Sequence, residues 1–233
     1  MFVLLSFQDF LIKLIYFTGT AVCHQIPEKS FFAGSRQICL CARCEGIYLG
    51  FLFGAAFLFL MFRKKQSDIA PVYVIVIAIL FIASTAVDGI LSYLSVLDTN
   101  NYSRFITGCL AGSGAALIIY PVFNFQYYEV SLPDKIFSKP WQFITYIGLN
   151  AAITALAVIN FKPANLVFFY LSPVAVIFTF FSANFLLIIF IPAFSKKAAG
   201  FFSKYLVLPS LMALVLTAGE LFLFYRLHLL LKN

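Results

Sequence analysis

The sequence predicts an all-α membrane protein, a polytopic bundle of about seven transmembrane helices, or six if the first apolar window lies along the interface. Three observations predict it. First, 63% of the 233 residues are hydrophobic and only 11% are charged, against about 45–50% and about 25% in average soluble domains. A soluble domain of this size must cover its core with polar groups, and a bilayer removes that requirement. Second, the apolar residues gather in seven windows of roughly 20 residues, the length that crosses a bilayer as a helix. Third, the 30 Phe and 12 Tyr suit lipid-facing surfaces and interfacial belts.

The windows run over residues 3–22, 44–62, 70–97, 104–127, 140–160, 164–192 and 204–230. The first holds Asp9 and Lys13 and begins without a basic residue. It is therefore expected to be a retained or interfacial helix rather than a cleaved signal peptide. The breaks carry Arg63-Lys64-Lys65, Asn100-Asn101, Pro133-Asp134, Lys139-Pro140, Lys162-Pro163 and Ser195-Lys196-Lys197. The chain reads as a single integral membrane domain over 1–233. Its motif-bearing half is 20–115, and the helices over 140–230 are less specific.

The net charge of +7 does not indicate nucleic acid, because the basic residues are spread thinly between apolar runs and serve orientation. Loops after the second, fourth and sixth windows hold Arg63, Lys64, Lys65, Lys135, Lys139, Lys196, Lys197 and Lys204; the alternate loops hold Lys29, Arg36, Arg43, Arg104 and Lys162. Short loops richer in Lys and Arg face the cytoplasm. The segment 23–43 is then expected on the extracytoplasmic side of a cell membrane, with membrane lipid as the expected partner.

That segment is the one long connection, and it carries the chemistry. Cys23, Cys39, Cys41 and Cys44 fall within 22 residues, with His24 beside the first. Three readings are open. Cys41 and Cys44, a Cys-x-x-Cys pair, can grip one ion, with Cys23 and His24 or Cys39 completing four ligands. Sulfur ligands favour zinc, copper(I) or iron. Alternatively, a Cys-x-x-Cys at a helix start with Arg43 between the sulfurs suits thiol–disulfide chemistry. Finally, Cys23 bonded to a second cysteine would only staple the loop to the next helix. Arg36 and Arg43 flank the cysteines and suit an anionic group, whereas Lys29 reads as an interfacial snorkelling residue.

The order Cys23-His24-Gln25-x-Pro27, Gly34-x-Arg36-Gln37 and Cys41-x-Arg43-Cys44-x-Gly46-Ile47-Tyr48-x-Gly50 resembles the domain-of-unknown-function 2085 family of prokaryotic membrane proteins. Asp88-Gly89 and the run Asn101-Tyr102-Ser103-Arg104-Phe105-Ile106-Thr107-Gly108 extend the resemblance to about residue 115. Lys29, where the family usually has Arg, and the extra Cys39 depart from the pattern. The resemblance locates a site, adding Gln25 and Tyr48 to its candidate residues, and implies no reaction.

Charged groups within a bilayer are costly and usually face the protein interior or a cavity. Asp88 is the clearest, sharing a helix face with Ser84 and Ser92. At 1.5 Å per residue it lies roughly 13 Å below the outer end of its helix, a depth shared by Asn150 and Glu220. Arg104, one turn from Thr107, starts the next helix and could pair with Asp88 or with a ligand. The sequence therefore predicts one outward pocket. Its lid is 23–43, its floor Asp88 with Glu220, and its rim Asn101 and Arg104. Asp88, Arg43 and Arg104 are the catalytic candidates. Arg36, Gln25, Asn101, Thr107 and Tyr48 are the substrate-binding candidates, and Cys23, His24, Cys41 and Cys44 the metal ligands.

A metal- or thiol-dependent membrane enzyme, a transporter or lipid-handling protein for an anionic substrate, and a structural membrane protein all fit. Gly46, Gly50 and Gly54, and Gly108 and Gly112, read as close-packing stripes. Cys109 reads as packing and His228 as interfacial. No Gly-rich nucleotide loop, Gly-x-Ser-x-Gly elbow or His-Glu-x-x-His pair is present, which argues against an ATPase, a serine hydrolase of that type or a zincin.

Overall fold

The computed structural model describes residues 2–62, 66–68, 70–94, 96, 99–130, 132–159 and 162–232. The basic run Arg63-Lys64-Lys65 lies outside them. Each apolar window becomes a helix: α1 (Phe2–Val22), α2 (Ala42–Met61), α3 (Val72–Tyr93), α4 (Asn101–Tyr127), α5 (Pro140–Val158), α6 (Lys162–Ile189) and α7 (Val207–Lys232). Local signals set several boundaries. Asn100 caps α4, its side chain accepting from the Ser103 N–H at 2.8 Å, which satisfies one of the orphan donors of the first turn. Pro140 opens α5, where its missing N–H costs nothing. Helices α2, α3, α4, α6 and α7 are long and apolar enough to cross a membrane by length and composition. The chain is thus an all-α membrane bundle.

The helices alternate in direction, so α1, α3, α5 and α7 end where α2, α4 and α6 begin. Segment 23–41, read from sequence as a long loop, is instead a built element at that end. After one 3₁₀ turn at Pro27–Lys29, β1 (Ser30–Ala33) and β2 (Arg36–Cys41) pair antiparallel. Gly34, at φ +66°, opens the turn, and a left-handed first position suits Gly in a two-residue hairpin. Ile38, Cys39 and Leu40 are completely buried, with β2 packed against α1, α2 and α6. The expected lid is therefore a wedge in the bundle. At the opposite end two short parallel strands pair, β3 (Gln66–Asp68) and β4 (Leu132–Lys135).

The interface between α2 and α4 is the closest in the bundle. A Cβ at Gly46 would lie 2.4 Å from the Phe105 carbonyl oxygen. One at Gly50 would lie 2.4 Å from that of Cys109, and one at Gly108 2.4 Å from that of Arg43. The two small-residue stripes read from sequence interlock, each leaving room for the other's backbone. This contact fixes the start of α2, and with it Cys41, Arg43 and Cys44. Cys109 is buried at the same interface.

Candidate metal centre

Three sulfurs converge where the hairpin meets α2. The Sγ atoms of Cys23, Cys41 and Cys44 all lie within 4.8 Å of one another. Cys23 follows the last turn of α1, Cys41 ends β2 as the N-cap of α2, and Cys44 sits in the first turn of α2. None is in a disulfide. Tetrahedral ligands at a Zn–S distance of about 2.3 Å have sulfurs roughly 3.8 Å apart, so three sulfurs within 4.8 Å are near enough to close on one ion by small side-chain rotations. The Cys23 sulfur accepts backbone N–H bonds from Cys41 at 3.2 Å and Gln25 at 3.5 Å. Such donors favour a thiolate.

The triad shares protons unevenly. Hydrogen bonds from Cys23 and then Cys44 hold the Cys41 thiol well below the usual thiol range, with the backbone N–H groups at the start of α2 acting in the same direction. The hydrogen bond to Cys41 raises Cys23. Cys39, the fourth cysteine of the segment, is raised by burial and stays outside the triad.

The loop around the sulfurs is locked by side-chain amides. Gln25 adopts φ +54°. Its Nε2 donates to the Cys39 carbonyl at 2.9 Å, and its Oε1 accepts from Thr20 at 3.1 Å. Gln37 donates to the Gln25 carbonyl at 2.8 Å and to Ser30 Oγ at 3.1 Å. Asn101, at the head of α4, donates to the Glu28 and Ser30 carbonyls at 3.1 and 3.3 Å, and Asn165 of α6 donates to that of Phe32 at 3.2 Å. Gln25 and Asn101, both expected to touch substrate, are thus engaged in holding the hairpin.

Arg43 leaves α2 on another side. It forms an ion pair with Asp88 of α3, its Nε donating to Oδ2 at 2.9 Å and its Nη2 reaching the same oxygen. Arg104 does not pair with Asp88. Its Nε donates to Thr99 Oγ1 at 3.0 Å and its Nη2 to Ser92 Oγ at 3.2 Å. The arginine two residues beyond Cys41 reaches Asp88 because the Gly108–Arg43 backbone contact sets α2 against α4 beside α3. Asp88, Ser84, Thr99, Asn100 and Ser103 line an open groove of about 630 Å³ that includes none of the sulfurs.

The single pocket expected from sequence is therefore two neighbouring sites. Glu220 is in neither, since it accepts from Asn184 at 2.8 Å between α6 and α7, and Asn150 bonds within the α4–α5 contact. Thr107 bonds back to its own helix and Arg36 is exposed on β2. Tyr48 lies one turn below Cys44, packed on the core around the triad. His24 stands apart from the triad, its ring 5.3 Å from that of His228 on α7.

One residue of this site escaped the sequence reading. Glu45 is completely buried, facing Ser172 of α6, and among the described residues neither carboxylate oxygen makes a hydrogen bond of normal geometry. It lies one turn beyond Cys41, on the same face of α2. An acidic residue adjoining a Cys-x-x-Cys pair at the head of an apolar helix was the available signal.

The model of a family described as a predicted membrane protein, DUF2085, matches residues 23–118. A Methanocaldococcus jannaschii protein is 34% identical over 126 residues, covering 53% of this chain and 78% of the relative. The chain belongs to the DUF2085 family. A second relative, from Methanothermobacter thermautotrophicus, is 32% identical over 97 residues, covering 42% of this chain and 83% of the relative. Both relatives are described as uncharacterized proteins. No solved structure matches. The family segment carries the whole sulfur triad and the Arg43–Asp88 pair, while α5, α6 and α7 lie beyond it.

Proposed function

We propose that this protein is a metal-dependent membrane protein whose site is Cys23, Cys41 and Cys44, holding zinc, copper(I) or iron, with a fourth coordination position left for substrate. The observation that carries this reading is the convergence of three sulfurs. A disulfide staple or a dithiol redox pair requires two, and leaves the third without a reason. One further feature fits an ion: the backbone N–H bonds to Cys23 suit a thiolate ligand. Three protein ligands with one open position are the arrangement of reactive rather than purely structural zinc sites.

Binding of an anionic substrate by arginine has less support, because Arg43 is engaged by Asp88 and Arg104 by Ser92 and Thr99. The count of Lys and Arg in the loops supports an extracytoplasmic position for the triad. Metal analysis of protein purified without added chelator tests the reading. One zinc, copper or iron per chain is expected, lost in Cys41→Ser and retained in Cys39→Ser. Metal-free protein with two of the three thiols joined in a disulfide overturns it.

A further inference from the structure

We propose that His24 and His228 form a second, solvent-facing site for a divalent cation of zinc type, from which the thiol triad is loaded. The chain contains two histidines. They are 204 positions apart in sequence, yet their rings meet at 5.3 Å, edge to face at 66°. That separation is the one a shared ion requires, reached once each ring turns about its χ2 to aim a nitrogen at the ion. A Zn–N bond of about 2.0–2.1 Å, plus the roughly 1.1 Å from a ligating nitrogen to its ring centre, places each centroid about 3.2 Å from a shared ion. Two imidazoles at a tetrahedral angle then have centroids about 5.2 Å apart.

The fold holds the pair in place. Phe17 of α1 packs on Tyr225 of α7 with ring centroids 4.7 Å apart. His228 follows Tyr225 by three residues and so continues that face of α7. His24 follows the end of α1 directly and adjoins Cys23. The family segment thus supplies one imidazole and the last helix the other. Unlike the buried Cys23, His24 is exposed and His228 half-buried.

Two imidazoles leave the ion's other positions to water, so binding there is weaker and faster to exchange than at three thiolates. Transfer inward exchanges Zn–N for Zn–S bonds, and each thiol that enters as S–H releases its proton to water. No electron moves. The pair's own ligation is independent of the reading given above; its loading role rests on the triad holding an ion.

Two experiments on the full chain in detergent test this. In the first, chelator-stripped Cys41→Ser/Cys44→Ser protein is titrated with zinc. One zinc per chain is expected, abolished by adding His228→Ala, and equal binding with and without His228 overturns the pair. In the second, zinc entry into the triad of stripped wild-type protein is followed in time by the loss of reactive thiols. His24→Ala and His228→Ala should each slow that loss several-fold while the triad still fills, with total zinc falling from two per chain to one, and an unchanged rate overturns the loading role. Both substitutions are at accessible positions, and a size-exclusion profile matching the wild type is the check that each variant remains folded. Zinc bound only through the histidines would overturn the triad and spare the pair. Zinc bound only through the cysteines would do the reverse.

Discussion

Replacing Arg43 with Met should destabilise the bundle by leaving Asp88 without its cation. The Asp88 side chain is 8% exposed and that of Arg43 24%. Removing one partner of a buried pair costs about 3–5 kcal/mol, because the remaining charge is uncompensated. Here the Asp88 carboxylate borders an open groove and Arg43 is partly solvated, so solvent screening lowers the expectation to about 2–3 kcal/mol. At about 2–4 °C per kcal/mol for a chain of this size, the melting temperature should fall by roughly 5–10 °C. Asp88→Asn leaves Arg43 able to reach water and should cost less. The double variant Arg43→Met/Asp88→Leu removes both charges and should recover most of the loss. The assay is thermal unfolding in detergent, arranged as a double-mutant cycle. Single variants that melt with the wild type, with no coupling between them, would refute the view that this pair fixes α2 against α3.

Two further outcomes follow from the packing. A Cβ at Gly112 would lie 2.0 Å from the Ile47 carbonyl oxygen, a backbone atom that cannot turn aside, whereas one at Gly148 would meet nothing within 4 Å. Gly112→Ala should therefore cost about 1–3 kcal/mol or more and Gly148→Ala should be neutral or up to about 1 kcal/mol stabilising, read as opposite shifts in melting temperature; equal effects would contradict the interlocked stripes. Asn101→Ala removes two ties to the hairpin and should raise the rate at which a thiol reagent labels the buried Cys39 several-fold. An unchanged rate would mean that Asn101 does not hold the hairpin.

The helices were legible because a bilayer imposes length: each apolar window near 20 residues became a helix within a few residues of its expected ends. The close contact of α2 with α4 was legible for a similar reason, since glycines four apart on two helices have few other uses. The hairpin was not. Its strands are short, and Ile38, Cys39 and Leu40 are buried in succession rather than alternately, so no period of two marks them; the turn glycine, Gly34, was the one local signal. The cysteines of the segment were legible as a group, but strand parity puts Cys39 and Cys41 on the same side. What separates them is that Cys41 ends the strand and caps α2, a tertiary fact. Arg43 was not legible as the partner of Asp88, and Arg104 was offered as one, because depth along a helix says nothing about which neighbour faces it. Glu45 went unread because nothing in the sequence shows that its carboxylate is buried.

The most direct test of the central claim is the ion itself. Cobalt(II) added to stripped wild-type protein should bind at the triad and show thiolate-to-cobalt charge-transfer absorption that saturates at one ion per triad. That absorption should weaken in Cys23→Ser, Cys41→Ser and Cys44→Ser, and persist in Cys39→Ser and Cys109→Ser. Cobalt that binds without this absorption, or an absorption untouched by the three triad substitutions, would contradict the metal centre.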